Sequence, residues 1–166
     1  MTDTAPAAAL LLAPMTDTEF ASFMATSVPA YAQAKVASGQ WAADDALERA
    51  QREFDGLLPQ GPLTPEHQLF TLRDGEGRSV GTLWFAQLPR GSERMAYVYD
   101  IAIHPERRRQ GWARRALVAL ESEARRRGLS SIVLHVFGHN TGARALYEQL
   151  GFEATNIVMA KPVANA

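Results

Sequence analysis

Between Ile101 and Leu117 the chain runs Ile-Ala-Ile-His-Pro-Glu-Arg-Arg-Arg-Gln-Gly-Trp-Ala-Arg-Arg-Ala-Leu. The apolar start predicts a strand end, His-Pro a turn, and the remainder a helix that opens with two small residues, Gly111 and Ala113. A helix N-terminus presents backbone N–H groups without intrahelical acceptors and the positive end of the helix dipole, so it can bind phosphate oxygens. Small residues there let a diphosphate approach the backbone, and Arg107, Arg108, Arg109 and Arg114 surround it with positive charge. No Gly-Lys-Ser/Thr follows and Gly-x-Gly-x-x-Gly is absent, so the segment is neither a nucleotide P-loop nor a dinucleotide fingerprint. The same residues also fit a plain arginine-rich, solvated helix start.

Two further side chains stand out. Asp100 interrupts the otherwise apolar Tyr97-Val-Tyr-Asp-Ile-Ala-Ile103, and a carboxylate placed in such a strand needs a partner to offset burial. A structural pairing with an arginine or a backbone donor satisfies that need as well as a functional one does. Tyr147 lies four residues after Ala143 and shares its helical stripe with Leu150, which points it inward, as a reactive phenol or as core. The sequence has no cysteine, which excludes disulfides, thiolate metal sites, iron–sulfur clusters and a thioester-forming nucleophile. Its four histidines lack metal-like spacing, so no metal is expected.

These residues need a scaffold. The 166 residues are 46% apolar and 21% charged, as in one folded domain and unlike disordered, collagen-like or coiled-coil chains. The formal charge of −1 hides an asymmetry: residues 1–100 carry 13 acids and 7 Lys/Arg, residues 101–166 carry 5 and 10. Nine of the fifteen arginines lie between Arg107 and Arg144, which favours a local anion site over nucleic-acid binding; no nucleic-acid motif accompanies them. The apolar run Ala7–Ala13 is far shorter than the roughly 20 residues of a membrane span, and no basic n-region precedes it. A cytoplasmic protein without membrane partners is expected.

Ala8–Leu12 predicts a first strand, and a helix starts in Met15-Thr-Asp-Thr-Glu and runs toward Tyr31. A second helix begins near Asp44 and Asp45, with Leu47, Ala50, Phe54, Leu57 and Leu58 on its apolar stripe and Glu48/Arg52 outside. Pro59–Pro65 is a loop, and His67–Arg73 and Arg78–Leu88 form a hairpin about Asp74-Gly-Glu-Gly77. Met95–Ile103 is a strand, Gln110–Arg127 a helix, Ser131–Phe137 a strand, Thr141–Leu150 a short helix and Phe152–Lys161 a final strand. The alternation in the second half predicts a parallel pair joined by a right-handed crossover. The expected fold is α/β (α+β): a mixed, mostly antiparallel sheet with a central parallel pair and helices on both faces.

Arg108-x-x-Gly111-x-Ala113, following Ile-His-Pro, resembles the acyl-CoA pyrophosphate loop of the GNAT superfamily of N-acetyltransferases. Asn140-Thr-Gly-Ala-Arg-Ala-Leu-Tyr-Glu-Gln-Leu-Gly-Phe152 resembles that family's later Asn-x-x-Ala-x-x-Leu-Tyr-x-x-x-Gly-Phe block. The motif resemblance covers residues 95–161, and the element order extends it, so residues 1–166 are expected to form one N-acetyltransferase domain with residues 8–58 on the acceptor side. The resemblance implies acetyl-CoA as cosubstrate and direct transfer to a primary amine in a ternary complex. The alternative from another class is a CoA-binding regulatory or sensor module without turnover.

The resemblance also implies roles. Arg108 and the backbone of Arg109, Gln110, Gly111, Trp112, Ala113 and Arg114 would hold the pyrophosphate. Tyr99–Ile103 would splay from its neighbour, so that Ile101, Ala102 and Ile103 pair with pantetheine and the Ile101 N–H faces the oxyanion. Asn140, also a good helix N-cap, would meet the pantetheine arm together with Ala143. Asp100, with Tyr97 and Tyr99 beside it, would bind or deprotonate the incoming ammonium. Tyr147 would protonate the leaving thiolate, a phenol of pKa about 10 serving a thiol of about 8.5. Only nine residues separate Gly151 from Lys161, where many relatives place a long loop between their last two strands. The acceptor side is therefore expected to be open unless the first helices or a homodimer partner cover it.

Overall fold

The computed structural model describes residues 9–163, which divide into two units, one ending at His135 and one beginning at Val136. The first holds β1 (Leu11–Pro14), α1 (Asp17–Ala37), α2 (Ala46–Leu57), β2 (His67–Arg73), β3 (Ser79–Arg90), β4 (Glu93–Ile103), α3 (Trp112–Arg126) and β5 (Ser131–Leu134). The second holds α4 (Thr141–Gln149) and the segment that follows it. The sheet order is β1-β2-β3-β4-β5, antiparallel through β4 and parallel between β4 and β5. The expected mixed sheet is present.

Local chemistry explains the elements. Thr16 caps α1 in a reciprocal capping box with Glu19, and Glu19 also pairs with Arg73 on β2, fixing the helix to the sheet. Phe23 of α1 and Phe54 of α2 meet Trp84 of β3 at centroid distances of 6.0 and 5.3 Å. On α2 the buried stripe is Ala46, Ala50 and Phe54; Leu47, expected on it, is exposed because it lies one position off that face. The Glu48/Arg52 pair sits outside at 2.5 Å, as its spacing predicts. Trp112, Ala116, Leu117, Leu120 and Ala124 bury one stripe of α3. Arg127, at the end of that helix, lies over Phe85, whose ring points to the sheet face opposite its neighbour Trp84.

The ends of the chain depart from expectation. β1 lies at Leu11–Pro14 rather than Ala8–Leu12, and Ala8 falls outside the described residues. β5 stops at Leu134, short of Phe137. The expected final strand, Phe152–Lys161, does not form: Phe152–Val163 has no regular structure, and Ile157, Val158, Met159 and Val163 are exposed. β-branched and apolar residues favour a strand only where a neighbour takes their backbone groups. The parallel pair consequently ends the described sheet instead of lying at its centre.

Candidate functional site

The site is organised by one extra residue in β4. Trp84 opposes Asp100 while Phe85 opposes Val98, so Tyr99 has no partner on β3. Such a bulge bends its strand and re-aims the side chains around it. Pairing of β4 with β5 runs from Met95–Ser131 to Val98–Leu134 and stops there. Tyr99–Ile103 therefore extends past the parallel ladder with an opened edge, the separation expected from the sequence.

The alternation of an antiparallel ladder shows which backbone groups face that opening. His104 donates its N–H to the Val80 carbonyl at 3.0 Å, so Ala102 and Asp100, two and four residues back, also turn their backbones toward β3. Ile101 and Ile103 turn theirs to the opened side, and the Ile103 carbonyl accepts from Arg108 Nε at 3.1 Å. This corrects part of the expectation, because Ala102 bonds toward β3 and offers the opening no backbone pair. Gly81, opposite Ile103, permits the close approach: a Cβ there would lie 2.1 Å from the Ala102 carbonyl oxygen.

After Ile103 a short turn, Pro105–Arg107, leads to Arg108 and then to two left-handed residues, Arg109 (φ 60°) and Gly111 (φ 80°). Gly111 is the N-cap of α3 and has no side chain to accept the first-turn N–H groups, which therefore remain suited to an anion. Arg108, Arg109, Gln110, Gly111 and Arg114 are exposed, and Ala113 is half-buried. The Trp112 ring is buried, with the Arg115 guanidinium 4.5 Å above it, so Trp112 could serve a ligand only through its backbone. These features fit an extended cosubstrate carrying a diphosphate: donors at the helix start, and a strand edge opened from its neighbour beside it.

Asp100 points to the α1 face, half-buried. Ser27 of α1 donates its hydroxyl to Asp100 Oδ2 at 3.4 Å, and Thr82 of β3 bonds the same carboxylate. Burial pushes the carboxyl up to about 6, against the opposing effect of those two hydroxyls. No arginine or lysine pairs with it among the described residues. Hydroxyl partners on α1 and β3 replace the arginine or backbone donor that a structural reading of the sequence anticipates. Neither Ser27 nor Thr82 was legible as a partner, since only the folded register brings them to Asp100.

Aromatic rings wall this side. Tyr99 stacks on Trp84 at 4.5 Å and on His67 at 5.7 Å, and Tyr97 meets Tyr99 edge-on at 4.9 Å. Burial lowers the pKa of His67, and its Nδ1 accepts from Trp84 Nε1 at 2.9 Å, which occupies it as a neutral ring. Tyr31 donates to Glu53 at 2.8 Å; burial first, then that carboxylate, raise its pKa. Among the described residues no three His, Asp or Glu side chains are grouped to hold a metal ion.

In the second unit Asn140 caps α4, its side-chain oxygen accepting the Ala143 N–H at 3.2 Å. Tyr147 is half-buried with its ring 5.6 Å from that of Phe152. Phe152 also donates its N–H to the Tyr147 carbonyl at 3.0 Å. The late motif thus has a local structural logic of its own: cap at one end, aromatic closure at the other.

Residues 35–152 match the family model described as Acetyltransferase (GNAT) family. The chain is 40% identical over 152 residues to the uncharacterized N-acetyltransferase YycN of Bacillus subtilis, covering 92% of this chain and 97% of that one. It is 32% identical to a second such protein of the same organism, YdgE, over 92% and 98% of the two chains. The crystal structure of YycN superposes with a TM-score of 0.90 at 39% identity, covering 95% of this chain and all of that one. Strand bulge, opened edge, glycine-capped helix and family match converge: the chain belongs to the GNAT family of acetyltransferases.

Proposed function

We propose that the protein moves an acetyl group from acetyl-CoA to a primary amine by direct attack within a ternary complex. The observation that carries this reading is the bulge at Tyr99. It gives one strand two uses, an opened backbone edge for the donor and a carboxylate turned toward α1 for the acceptor. Donors near the start of α3, from Arg109 to Arg114, bind the diphosphate, and the Ile101 carbonyl and the Ile103 N–H on the opened edge pair with the pantetheine amides. Asn140 and Ala143 flank that arm.

Asp100 holds the incoming ammonium and takes its proton, a task suited to a carboxyl lifted to about 6. The amine lone pair forms the new C–N bond at the thioester carbon. The Ile101 N–H donates to the oxygen that gains negative charge. As the carbonyl reforms, the C–S bond breaks, the thiolate takes the phenolic proton of Tyr147, and the second proton shed by the nitrogen as it becomes an amide passes through water to restore the phenol. The chain has no cysteine on which the acetyl group could pause. Asp100 is the local charge at the acceptor side, which favours a cationic acceptor.

Incubation with acetyl-CoA across a panel of amines, polyamines, amino acids and peptide N-termini tests the reading, with thiol release and product mass as readouts. One acceptor gaining an acetyl mass with stoichiometric CoA release supports it. CoA binding without release for any acceptor replaces it with a binding module. In the active pair, Tyr147→Phe lowers turnover about 10²-fold with little change in CoA affinity; an unchanged rate returns Tyr147 to a packing role.

A further inference from the structure

The loop between β4 and α3 is anchored at two points, the start of β3 and the β2–β3 turn. His104 donates its N–H to the Val80 carbonyl, and its Nε2 lies 2.8 Å from the Ser79 hydroxyl. Arg107 donates to Asp74 Oδ2 at 3.5 Å. Both anchors precede the irregular stretch containing Arg109 and Gly111, where the backbone leaves any ladder.

Asp74 does more than its turn requires. Its Oδ1 accepts the N–H groups of Glu76 and Arg78 at 3.0 and 2.9 Å, which is the turn-closing task that an asparagine also performs. The second oxygen, on a residue only 3% exposed, takes guanidinium groups: Arg78 Nε at 3.0 Å and, from the following loop, Arg107. Burial alone would raise this carboxyl, but the Arg78 and Glu76 hydrogen bonds and the Arg78 charge hold it below the usual range. The charge is therefore kept where a neutral amide would suffice for the turn.

We propose that the β2–β3 turn sets the position of the diphosphate loop, and that Asp74 is a positioning residue acting on that loop through Arg107. The proposal rests on assigning Arg108–Arg114 to the diphosphate. Donors at a helix start are useful to a bound anion only when their spacing is fixed beforehand. The hairpin turn fixes it here from a distant part of the chain, without itself touching the ligand.

Steady-state kinetics with two donors test this: acetyl-CoA, and acetylpantetheine, which lacks the diphosphate. Wild type, Asp74→Asn, Arg107→Gln and the double variant are compared, each shown by thermal unfolding to be folded. The expected result for Asp74→Asn is a KM for acetyl-CoA raised about ten-fold, because Arg107 loses its carboxylate partner and the loop its tie to the turn. Turnover at saturation and all constants for acetylpantetheine stay unchanged. Arg107→Gln also raises this KM, in part by removing a charge near the diphosphate, and the double variant loses less than the sum of the two single ones, because both remove the Asp74–Arg107 tie. An unaltered KM, an equal loss on both donors, or additive losses overturn the proposal. If Asp74→Asn fails to fold, Asp74→Ser, which keeps a turn-capping oxygen without the charge, takes its place in the donor comparison. Wild-type protein that uses the two donors equally well overturns the diphosphate assignment itself, and the proposal with it.

Discussion

The two sides of β4 are built from different materials. The side proposed for the donor uses backbone: an opened strand edge, a left-handed Arg109 and Gly111, and the start of α3. The side proposed for the acceptor uses side chains from separate elements: Asp100 on β4, Ser27 on α1, Thr82 on β3, and the Tyr97–Tyr99–His67 rings. A backbone site must repeat the same small residues at the same spacing, so it leaves a motif. A side-chain site can be assembled from any positions that the fold brings together, so it leaves little trace and can change acceptor without changing fold.

This contrast can be broken where the two materials meet. The largest effect is expected at Gly81, where even a methyl group would overlap the Ala102 carbonyl. Gly81→Ala should push β4 away and destabilise the fold by about 3 kcal/mol, read by denaturant unfolding; a stability equal to wild type would show that the strands relax freely.

Next in size is Asp100→Asn, which should lower turnover about 10²-fold while leaving acetyl-CoA affinity intact. The acid limb of the kcat/KM profile, set by a carboxyl near 6 in wild type, should vanish. Stability should move the other way. Because the folded carboxyl lies above its ordinary 3.8, its contribution is fully present below that pH and is lost as pH rises through about 6. At pH 8 the wild type holds an unfavourably desolvated carboxylate, so the asparagine variant should unfold at higher denaturant than wild type, with the gain fading toward pH 5.

Gly111→Val probes the backbone side alone. A Cβ there meets nothing closer than Arg115 at 3.9 Å, so space is available and the obstacle is the positive φ, which costs a side-chain-bearing residue about 1–2 kcal/mol. Rearrangement of the cap should weaken acetyl-CoA binding about ten-fold, measured by calorimetry, without shifting the acid limb. The smallest effect is expected from Ser27→Ala: losing a hydroxyl that lowers the Asp100 pKa should move the acid limb upward by less than one unit. A shift downward would sink the assignment of Ser27 as a donor to Asp100.

The same contrast explains what could be read in advance. Gly111 at the start of α3 and Asn140 at the start of α4 were legible as helix-terminus residues, because capping demands small or capping residues at fixed positions. Periodicity found β2 and the buried stripe of α3, and it misplaced Leu47 because one position on a helix separates core from solvent. The partners of Asp100 were hidden because Ser27 is 73 residues away and β-register is a property of two strands together. Asp74 looked like turn chemistry and nothing more, since its second oxygen finds Arg107 only across 33 residues of chain. The last strand failed for a related reason: Ile157–Met159 has the composition of a strand, and composition cannot supply a neighbour.

The unpaired Tyr99 also bears on how such a strand could arise. A chain lacking that one residue would place Val98 and Asp100 next to each other, opposite Phe85 and Trp84, with every rung filled. Its pleat would keep Asp100 on the face it has now, but nothing would bend β4 away from β5. One inserted codon is thus enough to turn a continuous ladder into a cleft, leaving the residues on either side in phase.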